Sequence, residues 1–104
     1  MISKEYLEQL VDGLDTYGFP NCQQDARKVL ETIKDKTNGH VVWYKGKIVY
    51  YDGKNFRITG NHAVAHTDSG QIIDIAQPRG NRVYENGADY WKRSLNSIRK
   101  NENR

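Results

Sequence analysis

A chain of 104 residues is long enough for one domain with a modest core and too short for two. Apolar residues make up 37% and charged residues 28%, a globular balance and not a disordered one, with seven tyrosines and two tryptophans adding burial capacity. The net charge of +3 falls far short of the Lys/Arg loading of a dedicated nucleic-acid binder, and one cysteine excludes both an internal disulfide and a multi-thiolate metal site.

No apolar run approaches the roughly 18 residues of a membrane span. Lys4, Glu5, Glu8 and Asp12 interrupt any N-terminal signal pattern. Ser3 is placed to cap a first helix, with Tyr6, Leu7, Leu10, Val11, Leu14 and Tyr17 at helical spacing and Gly18 and Pro20 as its stop. A second helix follows at once. Asn21 is its cap, Gln24 stands in capping-box position, and Cys22, Ala26, Val29, Leu30 and Ile33 form its apolar face. Asn38-Gly39 has the chemistry of a helix C-terminus.

Past Gly39 the pattern turns to β. His40–Lys45 and Lys47–Tyr51 flank Gly46, Asp52-Gly53 signals a turn, and Lys54–Thr59 follows. After Gly60, Asn61–Thr67 and Gln71–Ala76 make the clearest hairpin in the chain, closed by Asp68-Ser69-Gly70. Pro78 to Gly80 breaks the sheet. A last helix is expected from Gly87 to about Lys100, with Ala88, Trp91, Leu95 and Ile98 inward. The expected architecture is a single α+β domain over residues 1–104: two N-terminal helices on a small antiparallel sheet, then a closing helix.

Cys22 falls in the first turn of its helix, where unpaired N–H groups and the macrodipole favour a thiolate. A thiolate nucleophile works with a base that titrates near neutrality, and His62, at a strand start, is that candidate. A third group must accept the imidazole's other N–H. With a three-residue loop Thr67 pairs with Gln71, and His62 and Asp74 become diagonal neighbours on one face. With a two-residue loop Asp74 turns away and Gln77 stands across from His62. Asp74 also interrupts the apolar run Ile72, Ile73, Ile75, where a carboxylate needs a partner.

Plainer readings compete. Free cysteine is among the most buried residue types, so Cys22 alone is equally a packed small side chain. His66 shares strand parity with His62, but His62, His66 and Cys22 do not have the spacing of a familiar zinc site. His40 reads as structural. Trp43, Tyr44, Tyr50, Tyr51 and Phe56, near Lys45, Lys47, Lys54 and Arg57, could form a base-stacking platform, although adjacent strand aromatics usually divide between core and surface. Arg79 and Arg82 could line a cleft.

The stretch Gly18-Phe19-Pro20-Asn21-Cys22-Gln23-Gln24-Asp25-Ala26, followed by Asn61-His62-Ala63-Val64-Ala65-His66 and Gly70-Gln71-Ile72-Ile73-Asp74-Ile75-Ala76, resembles the compact papain-fold toxin domains of bacterial polymorphic toxins. NlpC/P60-type and C39-type domains share the same order of cysteine, then histidine. The resemblance spans roughly Gly18 to Gln77. It implies a papain-like cysteine enzyme that cleaves or modifies amide bonds, as a peptidase, deamidase or acyl transferase, with Cys22 as nucleophile, His62 as base and Asp74 as orienter. Gln77 stands in reserve as orienter, and no metal or other cofactor is implied. It further implies an effector module acting on a protein in the target-cell cytoplasm, countered by a cognate immunity protein, with no membrane partner. The family's peptidases place a glutamine upstream of the cysteine to hold the oxyanion. Here only Thr16, Tyr17 and Asn21 stand there, and a capping role would occupy Asn21. Two other classes remain open: a small basic nuclease-type toxin in which Cys22 is merely packed, and a non-catalytic module that binds through the aromatic strands.

Overall fold

The computed structural model describes residues 2–18, 20–51 and 56–90. Helix α1 (Lys4–Asp12) and helix α2 (Cys22–Ile33) precede four strands: β1 (Gly39–Tyr51), β2 (Phe56–Thr67), β3 (Ile72–Ile73) and β4 (Val83–Tyr84). A third helix, α3, opens at 87–90. The strands form one antiparallel sheet in the order β1-β2-β3-β4. The α+β class with an antiparallel sheet is therefore as expected. The Asp52-Gly53 turn and the expected inward residues Trp91, Leu95 and Ile98 lie outside the described residues.

Strand alternation divides the core in two. Ala65, Ile73 and Val83 point toward the helices, where Leu7, Val11, Val29 and Ile33 complete a buried cluster with Ile75. Val64, Ile72 and Tyr84 point the other way and pack with Tyr90 and Tyr44. Burying an aliphatic side chain of this size contributes about 1.5–3 kcal/mol, so the helix-facing cluster is the main reason that α1 and α2 stay docked. Because β3 is buried on both faces, it reads as a continuous apolar run.

Several local expectations are corrected. Ser3 caps α1 by accepting from the Tyr6 N–H at 3.2 Å, but the helix ends at Gly13, short of Gly18. Tyr17 is 62% exposed and off the helix because its segment is tied elsewhere, as described below. The expected capping box on α2 does not form. Asn21 has φ −95° and ψ 31°, outside the extended conformation of a capping residue, because its N–H closes a turn onto the Gly18 carbonyl at 2.7 Å. Gly46 and Gly60 do not divide the strands either. Lys45 pairs with Asn61 and Ile48 with Thr59, so Gly46 and Lys47 face the single Gly60 in a bulge, and the four short strands expected are two long ones. Strand β4 was not foreseen; two residues are too short to show a period.

Gly39 does not terminate α2, which ends at Ile33; it is the first residue of β1. A Cβ there would lie 2.5 Å from the His66 carbonyl oxygen and 2.6 Å from Leu30 Cδ2. Leu30 could swing aside, whereas the His66 carbonyl belongs to the sheet. Gly39→Ala is expected to destabilise the fold by about 1–3 kcal/mol, read from the midpoint of chemical denaturation.

Candidate active site

Thr67 stands opposite Gln71 in the hairpin register, and its N–H donates to the Gln71 carbonyl at 2.9 Å. This is the three-residue loop, with Gly70 at φ 90° supplying the left-handed residue. Strand β3 nonetheless stops at Ile73. Asp74 leaves the ladder to β2 and donates its N–H to the Arg82 carbonyl at 2.8 Å. Its own Oδ1 accepts the Ala76 N–H at 3.0 Å, an Asx-turn that bends the chain and keeps the carboxylate at the end of the strand.

His62 meets that carboxylate, with Nε2 3.1 Å from Asp74 Oδ1. The two residues are 4% and 3% exposed. The outer oxygen, Oδ2, accepts from the Tyr90 hydroxyl at 2.7 Å and from Gln77 Nε2 at 3.3 Å. Gln77 therefore braces Asp74 and does not replace it beside His62. Burial alone would push the Asp74 carboxyl up. The charge and hydrogen bond of His62, with the Tyr90 and Gln77 bonds, outweigh it and hold the group below its ordinary value. For His62, burial pulls down, while the charge and hydrogen bond of Asp74 and the charge of Asp25 prevail and raise it. An ionised Asp74 only accepts, so the imidazole carries its proton on Nε2, and Nδ1 holds the basic lone pair when the ring is neutral.

Past the Ala65–Ile73 pair a small cleft opens between the start of α2 and the end of this hairpin. Cys22, Asp25, His62 and Asp74 line it, with Ala26 and Ala63 among its apolar walls. Cys22, half-buried, is the first residue of α2 and carries a free thiol. The fold thus brings Cys22, His62 and Asp74 to one cleft. Asn21 stands just before it, and since its side chain makes no capping bond, that role does not occupy the amide.

Sequence reasoning missed Asp25 and Tyr90. Asp25 is 5% exposed, and its carboxylate accepts from Thr16 Oγ1 at 2.6 Å, the Tyr17 N–H at 2.7 Å and the Gly18 N–H at 3.3 Å. It ties the segment before α2 to the helix that bears the cysteine. The only sequence sign was an acidic residue in a first helical turn. Asp25→Ala is expected to cost about 1–3 kcal/mol and to speed hydrogen exchange at the Tyr17 and Gly18 amides.

The remaining candidates fall away from the cleft. His66 Nε2 lies 3.1 Å from the Tyr44 hydroxyl and its ring 6.0 Å from that of His40; burial and then the His40 charge lower its pKa. Arg82 lines no cleft. Its guanidinium is buried and donates to the carbonyls of Val11 at 2.8 Å, Leu14 at 3.0 Å and Gln77 at 3.0 Å, closing the end of α1. Among the described residues no group of three His, Cys, Asp or Glu side chains is arranged to hold a metal ion, and no helix is long and apolar enough to cross a membrane. Trp43 is 45% exposed while Tyr44 packs into the second core cluster, so those two strand aromatics divide between surface and core. Comparison of the chain with protein-family models, with curated proteins and with solved structures gives no match.

Proposed function

We propose that this chain is a cysteine-dependent hydrolase domain of papain-like organisation, acting on amide bonds of a protein substrate. The buried His62–Asp74 pair at 3.1 Å, in the cleft that Cys22 heads, carries the reading. A structural carboxylate–histidine pair explains the burial, but not its conjunction with the chain's only thiol at the start of a helix.

The chemistry follows from the roles. Cys22 Sγ attacks the substrate carbonyl as its proton passes to Nδ1 of His62, and Asp74 stabilises the imidazolium through Nε2–H. The Cys22 backbone N–H at the head of α2 donates to the oxyanion, and the Asn21 amide is a second donor within the same turn. The imidazolium then protonates the departing amine, leaving a thioester on Cys22. Water, deprotonated by His62, releases the acid and restores the thiol; an amine in place of water would make the same site an acyl transferase.

With this chemistry goes the rest of the reading. The domain is a toxin module of the polymorphic type, delivered into a target cell, acting there on a cytoplasmic protein and neutralised by an immunity protein. The net charge of +3 suits an acidic inhibitor.

The test is the pH dependence of iodoacetamide labelling at Cys22. Between pH 6 and 7 the wild type is expected to label at least about tenfold faster than His62→Ala. Slow and equal labelling of both proteins would mean a packed cysteine and would sink the reading.

A further inference from the structure

Asp74 Oδ1 is shared between the Ala76 N–H and His62, so that oxygen alone leaves the carboxylate able to rotate about its own bond to the chain. What stops the rotation is the outer oxygen. Gln77 Nε2 donates to it at a long 3.3 Å and the Tyr90 hydroxyl at a short 2.7 Å. Tyr90 is itself held. It is 2% exposed, its ring lies 5.1 Å edge-on from Tyr84 and 5.4 Å from Tyr44, and it ends the first turn of α3, which Asn86 caps by accepting the Asp89 N–H at 2.9 Å. A rigid donor from a separate element meets the one carboxylate oxygen that His62 does not use.

We infer that Tyr90 is a positioning residue of this site: its hydroxyl, on the carboxylate oxygen that His62 does not use, takes up part of the Asp74 charge and so sets how strongly Asp74 holds the His62 proton, which makes α3 part of the catalytic apparatus. The inference rests on the function proposed above for its catalytic meaning, while its structural content stands on the Tyr90–Asp74–His62 chain alone. Other groups face this chain. Asp25 and Cys22 on α2 share the cleft with His62, Tyr44 is the cross-strand partner of His62, and the charge of Arg82 acts with Asp74.

Tyr90→Phe keeps the ring and removes only the hydroxyl. The carboxylate, still held by Ala76 and Gln77, then presents more of its charge to His62. The His62 imidazole, followed by NMR with His40 as internal control, is expected to titrate about one pH unit higher, a roughly tenfold gain in proton affinity. A mere packing role would leave that midpoint unmoved or let it fall. In an Asp74→Asn background the same substitution is expected to change nothing, because Tyr90 acts through the carboxylate.

An unmoved or lowered midpoint in Tyr90→Phe, or an equal rise in the Asp74→Asn background, overturns the inference. Should Tyr90→Phe fail to fold, Gln77→Leu carries the test: a smaller rise supports the geometry, and none refutes it. Failure of the functional reading looks different, as loss of the His62 effect on Cys22 labelling with the Tyr90 effect on His62 intact.

Discussion

Asp74→Ala is expected to be the most destabilising single substitution in the domain, costing about 3–5 kcal/mol, a large share of the total stability of a domain this size. The change leaves His62 buried without its counter-charge and strips the acceptor from the Ala76 N–H, the Gln77 amide and the Tyr90 hydroxyl. These donors are buried or partly buried, so each one left without an acceptor adds a desolvation cost. The stability that the pair contributes also has a defined pH range. The Asp74 value is depressed by folding, so its contribution is present above the unfolded value of about 3.9 and is lost as pH falls through the lower folded value. The His62 value is raised, so its contribution is complete below about 6.5 and is lost as pH rises through the higher folded value. Urea unfolding of wild type against Asp74→Asn at pH 3, 5 and 8 should therefore show the widest gap at pH 5. A gap that is flat across the three would mean that the two groups are held by shape and not by charge.

Cys22→Ala is expected to abolish activity, leaving less than about 10⁻⁴ of the wild-type rate, because covalent catalysis has no substitute for the sulfur. The fold should survive it. Cys22 is only half-buried, and alanine is the better helix former. The readout is growth of cells producing the domain without an inhibitor: arrest with the wild type, none with Cys22→Ala at equal protein level. If Cys22→Ala stayed toxic, and binding to nucleic acid fell steeply with added salt, the acyl-transfer reading would give way to a phosphate-directed one.

Much of the site was legible because its signals are local. A cysteine after a stop and a turn, a histidine opening an apolar strand, and an aspartate inside an isoleucine run each carry their own physical oddity. The Asp68-Ser69-Gly70 loop left two registers open, and the structure shows the three-residue one, with Thr67 opposite Gln71, although Asp74 itself leaves the ladder. What was not legible came from groups acting across the chain. Asn21 fails as a cap because the turn from Gly18 sets its backbone, and α1 stops early because Asp25 holds residues 16–18. Gly39 looked like a helix end and is instead a point of contact with His66, a partner 27 positions away that no local pattern reveals.

By itself, then, the sequence determined the class of fold, narrowed the hairpin to two registers and singled out Cys22, His62 and Asp74 as candidates, since periodicity and turn residues act over a few positions. Only the tertiary structure decided how Asp74 is held. The carboxylate is buried and charged, so it persists only where several donors converge, and those donors come from the strand end, the following turn and α3. That convergence depends on how the elements pack. It is why Tyr90 and Asp25, unremarked along the chain, stand beside the residues that the sequence had singled out.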